Sequence, residues 1–268
     1  MLSLHILLLS LVQGITEFIP VSSSAHLALL SMLGRSSSSE GMAVEAAAHL
    51  GTLLAVLIYF RSDVIHVFQE LASFMTAKKR PKMLGYLVVA TVPGVLAGVF
   101  LKGLIHYGLS LTLLIGWMSL IFGSLMYAAD RWGSHTYTLD DMTYKRAFLI
   151  GCAQAFSVIP GASRSGTTLS MARFLGFLRE PAFRFSFLLS IPVTLGLVLL
   201  SALDAYRSGA SFMTADTLWL GGLSFVIGYI SLTLVMGWIS RLSLAPFAIY
   251  RILLGIGLIL LYTQGACN

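Results

Sequence analysis

Gln13-Gly-Ile-Thr-Glu17-Phe-Ile-Pro20-Val-Ser-Ser23 interrupts an apolar run that starts at Leu2, and its reading decides the fold. Leu2–Ile19 carries Gln13 and Glu17 and then meets Pro20. Proline disfavours helix in the residue before it and fits the first turn of a new one. The stretch therefore reads as helix, break, helix, with the second helix over Ala25–Leu33. A second stretch follows the same plan. Phe148–Ile159 would make a helix of roughly 18 Å at 1.5 Å per residue, against a hydrocarbon core of about 30 Å. It stops at Pro160, passes through serines and resumes at Thr167–Phe177. Gln154-Ala-Phe-Ser-Val-Ile-Pro160-Gly-Ala-Ser163 matches the first stretch in Gln, Pro and Ser once a single residue is skipped.

The surroundings of both breaks are lipid-like. Of 268 residues, 57% are apolar and 10% charged, where an ordinary soluble domain has about a quarter charged. Leu84–Leu101, Leu109–Ala129, Phe185–Leu203 and Thr217–Ser240 carry no charge and approach or exceed the length a bilayer requires, about 20 residues. Ala43–Phe60 and Leu242–Tyr262 qualify despite Glu45, His49 and Arg251. A buried soluble core explains one such window and not six. The first apolar run is not read as a cleaved signal peptide, because no Lys or Arg precedes it and Gln13 and Glu17 follow at once.

Each short helix pair is thus followed by three spanning candidates. An odd number of crossings per unit turns the second copy upside down, the plan of many transporters. Irregular backbone at membrane depth survives only where it is buried in protein or lines a wet cavity, so the pairs read as re-entrant hairpins. The expected fold is an all-α polytopic membrane protein with six transmembrane helices plus two re-entrant helical hairpins in an inverted-topology repeat. Residues 1–268 form a single membrane domain. Residues 1–130 are the first repeat (hairpin 2–33 plus three helices), and 144–263 the second, inverted one (hairpin 145–177 plus three helices).

Charge sets the orientation. Arg61, Lys78, Lys79, Arg80, Lys82, Arg131, Lys145, Arg146, Arg179, Arg184 and Arg241 fall on one face, against Arg35, Lys102 and Arg207 on the other. The richer face is cytoplasmic by the positive-inside rule, and both termini are then outside. The net charge of +6 is loop charge of this kind, so no nucleic-acid partner is expected. Lys78–Lys82 reads as a solvated charge run and Ser36–Ser39 as a flexible loop. Cys152 and Cys267 are poorly placed for a disulfide and receive no role. His5, His66, His106 and His135 read as bystanders near interfaces or loops.

Ionisable groups at membrane depth are costly and mark functional sites by default. One cluster is Gln13, Glu17, Ser22, Ser23, Ser24 and His26. Gln13 and Glu17, four apart, share a helix face. The other cluster is Ser163, Arg164, Ser165, Thr167 and Thr168. Each break begins a half-helix whose amino end offers free N–H groups and about half a positive charge. Two such ends joined by Arg164 make a phosphate-type anion site, and arginine grips phosphate oxygens bidentately. Ser23, with Glu17 or His26 as its base and Arg164 on the phosphoryl oxygens, is a coherent phosphoryl-transfer set. Alternatively, Glu17 holds a divalent cation bound mainly through substrate phosphates. Blander readings stand beside these. Serines in membrane helices bond backbone carbonyls, and Glu17 with Arg164 is a salt bridge that merely ties the hairpins. Glu45 and His49 make an interhelical hydrogen bond or serve the site, while Arg173 and Arg251 snorkel or pair structurally.

At these residues the chain resembles the undecaprenyl-diphosphate phosphatases of the BacA type. Gln13-Gly-Ile-Thr-Glu17 fits that family's Glu/Gln-x-x-x-Glu motif, followed by Pro20-Val-Ser-Ser-Ser-Ala-His26. Pro160-Gly-Ala-Ser-Arg-Ser-Gly-Thr-Thr168 fits Pro-Gly-x-Ser-Arg-Ser-x-x-Thr. Leu139-Asp-Asp-Met-Thr-Tyr144, Phe185-Ser-Phe-Leu-Leu189 and Pro246-Phe-Ala-Ile-Tyr-Arg251 agree too, so the likeness spans nearly the whole chain. The resemblance implies hydrolysis of undecaprenyl diphosphate to the monophosphate, recycling the lipid carrier of peptidoglycan synthesis in the bacterial inner membrane, with a link to bacitracin resistance. It implies Ser23 as nucleophile with Glu17, His26 and Arg164 as its catalytic companions. Gln13, Ser22, Ser163, Arg164, Ser165 and Thr168 would stand around the diphosphate. It also implies a divalent cation, Mg²⁺ or Ca²⁺, near Glu17, and a site open to the periplasmic side. Some members carry Glu at the position of Gln13, so here Glu17 alone must serve. The rival reading is a transporter or flippase that binds a lipid diphosphate without cleaving it, but such a protein needs no nucleophile beside its anion site. Whether the chain works alone or as a homodimer is left open.

Overall fold

The computed structural model describes residues 3–33, 38–77, 82–101, 110–132, 135–207, 213–241 and 243–264. They fold into helices: α1 (Leu4–Thr16), α2 (Ser23–Leu33), α3 (Ser38–Tyr59), α4 (Arg61–Ala77), α5 (Met83–Leu101), α6 (Leu111–Arg131), α7 (Tyr144–Ala155), α8 (Arg164–Phe174), α9 (Arg179–Arg207), α10 (Ala215–Trp238) and α11 (Ala245–Thr263). Five of these (α5, α6, α9, α10 and α11) are long and apolar enough to cross a membrane. A sixth is counted if α3 and α4, which meet at 81°, are taken as one bent span. The sequence pattern predicts no helix at α4 and reads Ser38 and Ser39 as loop, and the structure differs at both. α4 is amphipathic, with Arg61, Asp63, His66 and Glu70 spaced among Ile65, Phe68, Leu71 and Phe74, and its charges hide it from a search for unbroken apolar runs. Ser38 and Ser39 open α3. Ser36, Ser37, Arg35, Lys78–Arg80, Lys102, His106 and Cys267 lie outside the described residues. Cys152 is a free thiol.

Helix contacts are made where side chains are smallest. A Cβ on Gly51 of α3 would lie 2.2 Å from the carbonyl oxygen of Gly221 on α10. One on Gly255 of α11 would lie 2.6 Å from that of Gly116 on α6. Small residues let backbones approach closely where lipid gives no hydrophobic drive to associate. α3 also packs on α9, α1 on α10, and α7 on α5. The aromatic centre holds Phe18, Phe60, Phe183 and Phe187, all buried. Phe18 comes from the first break and meets Phe187 edge to face at 5.7 Å, so the irregular backbone there is enclosed by protein.

One end of the bundle is closed by ion pairs. Asp130, at the end of α6, accepts from Arg173 at 2.9 Å, from Arg179 at 2.9 Å and from the backbone N–H of Leu244 at 3.0 Å. Arg184 pairs with Asp63 at 2.8 Å. Arg173, unexplained by sequence, is thus a structural partner of Asp130. Breaking a buried pair strands the remaining charge, at about 3–5 kcal/mol. Asp130→Ala is expected to destabilise the detergent-solubilised protein by about 3 kcal/mol, read as a lowered unfolding midpoint.

Candidate active site

Both breaks end in the same backbone device. Ser22 and Ser163 are the non-glycine residues with positive φ among the described positions, at 77° and 69°. Each sits at the mouth of a helix and caps it: the Ser22 hydroxyl accepts from Ala25 N–H at 3.4 Å and the Ser163 hydroxyl from Gly166 N–H at 3.1 Å. A side chain that accepts from an N–H three residues on satisfies one of the donors a helix start leaves free. The match corrects the alignment read from the prolines. Gln13 to Ser22 spans the same interval as Gln154 to Ser163, so no residue is skipped and the counterpart of Ser163 is Ser22 rather than Ser23. The prolines are offset by one because the device is built on backbone conformation and capping, not on proline.

The structure brings Gln13, Glu17, Ser23, His49 and Arg164 to one point. Ser23 donates to Glu17 Oε2 at 2.6 Å, and Arg164 Nη2 donates to Glu17 Oε1 at 2.6 Å. Arg164 and Glu17, 147 positions apart in the chain, are thus joined directly. Gln13 Nε2 lies 3.3 Å from Glu17 Oε2, 3.0 Å from His49 Nδ1 and 3.3 Å from Thr52 Oγ1, which holds Glu17 from behind. His49 Nδ1 is 3.7 Å from Glu17, and its Nε2 is 4.0 Å from the half-exposed Glu45. His49 is thus both an interhelical contact and a neighbour of the site. Two polar atoms there have no partner among the described residues: Arg164 Nη1 and Gln13 Oε1. Arg164 holds the carboxylate with one nitrogen and keeps the other as a free donor.

The remaining expected residues are placed differently. His26 does not bond Ser23 among the described residues. Its Nδ1 lies 2.7 Å from the Ser22 carbonyl oxygen and its Nε2 2.6 Å from Tyr250 Oη. A carbonyl only accepts, so Nδ1 is the donor to Ser22, and Nε2 shares its hydrogen bond with the Tyr250 hydroxyl. Ser165 Oγ is 3.4 Å from Ser163 Oγ at the second break. Thr168 is fully buried, its hydroxyl 2.6 Å from Ser186 and donating to the Arg164 carbonyl at 2.9 Å, so it stands behind the first turn of α8. Ser24 is exposed and touches Ser22 at 3.3 Å. Sequence reasoning missed Tyr250, whose signal is a hydroxyl within an apolar helix. Tyr250→Phe removes the hydrogen-bond partner of His26 Nε2 and is expected to lower kcat/KM about fivefold, the worth of one net hydrogen bond, with little change in thermal midpoint.

A half-buried serine on a buried carboxylate, an arginine with a free donor and the starts of α2 and α8 thus meet inside a bundle whose long apolar helices mark a multi-pass membrane protein. No group of three or more His, Cys, Asp or Glu among the described residues forms an ion cage. The chain belongs to the bacitracin resistance protein BacA family, whose model matches residues 6–257. Among relatives, it is 40% identical over 255 residues to an undecaprenyl-diphosphatase of Alteromonas mediterranea, covering 94% of this chain and 95% of that one. To the undecaprenyl-diphosphatase of Maricaulis maris it is 39% identical over 266 residues, covering 97% and 98%. To that of Teredinibacter turnerae it is 41% identical over 260 residues, covering 94% and 97%.

Proposed function

We propose that this chain is an integral membrane phosphatase that hydrolyses undecaprenyl diphosphate to undecaprenyl phosphate and inorganic phosphate, returning the lipid carrier to peptidoglycan synthesis. The observation that carries the reading is the Ser23–Glu17–Arg164 contact: a hydroxyl, its proton acceptor and a phosphate-binding cation in one enclosed point. Ser23 Oγ attacks the terminal phosphorus while its proton passes to Glu17. The bridging P–O bond breaks and its electron pair leaves on the polyprenyl monophosphate, a weakly basic leaving group. Arg164 Nη1 and the first N–H groups of α8 face the charge that spreads over the phosphoryl oxygens. Glu17 passes the Ser23 proton to the departing monophosphate oxygen, then takes a proton from the water that attacks the phosphoserine and returns it to Ser23 Oγ as inorganic phosphate leaves. Gln13 and His49 fix the carboxylate, and His26 with Tyr250 braces the start of α2.

Glu17 and the unpartnered Gln13 Oε1 are hard oxygen donors and suit a divalent cation, Mg²⁺ or Ca²⁺, completed by substrate phosphates rather than by a protein cage. When bound, such an ion neutralises diphosphate charge and polarises the scissile P–O bond.

The chain would cross the bilayer six times, with two re-entrant hairpins, in an inverted repeat. Exchange of the halves supports this. It turns the α1–α10 packing into α7–α5, and leaves α6–α11 and α3–α9 as self-paired contacts. The paired serines Ser22 and Ser163 obey the same exchange. The arginine-rich end holding Arg179 and Arg184 would be cytoplasmic, leaving the termini outside and the site open to the periplasm. An apolar groove of about 700 Å³ lined by Leu57, Val88, Val92, Leu188 and Leu195 offers a bed for the prenyl tail.

Purified protein in detergent, given undecaprenyl diphosphate, is expected to release phosphate, to stop when a chelator is added and to resume with Mg²⁺ or Ca²⁺. Binding of the lipid diphosphate with no phosphate release under any of these conditions would instead make the protein a carrier.

A further inference from the structure

Successive residues of α11 reach the two breaks. Tyr250 Oη meets His26 just inside the first, and Arg251 enters the second, where Nη2 donates to the carbonyl oxygens of Gly161 and Ala162 at 2.8 Å each. Arg251 is the largest fully buried side chain among the described residues. Its Nε and Nη1 have no partner among the described residues, and none of the ion pairs there includes it. Arg173, comparably buried, has Asp130. A buried guanidinium without a counter-charge is among the costliest arrangements a protein can keep. It is kept where something negative arrives.

The direction of the charge says where. Nη1 presses on Gly166 in the first turn of α8, so closely that a Cβ there would lie 2.4 Å from it. Glycine at this position lets the guanidinium stand directly behind the amino end of the helix. Nη2 meanwhile holds the 161 and 162 carbonyls, so the oxygens of the break point toward Arg251.

We infer that Arg251 is a positioning residue for the diphosphate, a fixed cation that orients the second break and whose charge is balanced only when a phosphate group docks at the start of α8. The inference rests on the phosphatase reading. Arg251 touches no substrate. It acts through the backbone of residues 161–166 and through its field, in a medium that screens little.

The test compares wild type with Arg251→Met, Arg251→Lys and Gly166→Ala in detergent, reading KM and kcat for undecaprenyl diphosphate and the rise in melting temperature that inorganic pyrophosphate gives. Arg251→Met is expected to raise KM roughly tenfold or more, as loss of a charge-assisted interaction does. It should change kcat less and abolish the pyrophosphate-induced rise, while Arg251→Lys recovers part of both. Gly166→Ala keeps the charge but displaces it, and should weaken KM and pyrophosphate stabilisation in the same sense. It decides the matter by these same readings if Arg251→Met fails to fold. A lowered melting temperature with KM and the pyrophosphate response unchanged would reduce Arg251 to packing and overturn the inference. If wild type hydrolyses normally, that result leaves the phosphatase reading standing. A wild type that neither hydrolyses the lipid nor responds to pyrophosphate overturns both.

Discussion

Ser23→Ala is expected to lower kcat by on the order of 10³-fold or more, the scale seen when a nucleophile is deleted from a preorganised site, while KM and the thermal midpoint barely move. The geometry explains each half. Ser23 Oγ is the atom 2.6 Å from Glu17 Oε2, so its removal takes away the attacking oxygen together with the proton path. The rest of the anion site survives, because Arg164 keeps its own bond to Glu17 Oε1 and the cap on α8 belongs to Ser163. Stability survives because Ser23 is only half-buried and the cap on α2 is supplied by Ser22. Phosphate release measured at saturating substrate, beside a melting curve, checks both halves. A variant that keeps a tenth or more of the wild-type rate would place the nucleophile elsewhere.

The second large effect concerns the pair beside it. Glu17 and Arg164 are 2.6 Å apart, with side chains 8% and 15% exposed. Each single change, Glu17→Gln or Arg164→Met, strands one charge in a poorly solvated place and is expected to cost about 3 kcal/mol of stability. The double variant leaves no charge unpaired, and its loss should be well below the sum of the two singles. Activity should not follow that recovery: all three variants should be inactive, since each lacks the proton acceptor, the phosphate donor or both. Unfolding in detergent gives the stabilities and phosphate release gives the activities. Additive stability losses would show that the two charges do not depend on each other. Recovered activity in the double variant would make the pair a tie between the hairpins and nothing more.

What was legible in the sequence was whatever is written within a few neighbouring residues. The breaks after Ile19 and Ile159 announce themselves through proline and serine, and the long helices through unbroken apolar runs. Glu17, Ser23 and Arg164 stood out because polar groups are rare in such surroundings, and they do meet. The choice of base between Glu17 and His26 was not legible. The position of His26 was not legible either, because its ring bonds Tyr250, 224 residues away on α11. The partner of Arg173 is Asp130, 43 residues earlier on another helix, a distance no local pattern bridges. α4 was hidden by its own amphipathicity, and the register of the two breaks by prolines that differ by one position while the positive-φ serines do not.

The central claim is that Ser23, not water, makes the first bond to phosphorus. The stereochemical course at the terminal phosphorus tests it most directly, using a lipid diphosphate whose terminal phosphoryl group is made chiral with oxygen isotopes or sulfur. Two successive in-line displacements, first by Ser23 and then by water, give overall retention of configuration, and retention is the expected result. Inversion would mean that water attacks directly, and the account of Ser23 would be wrong.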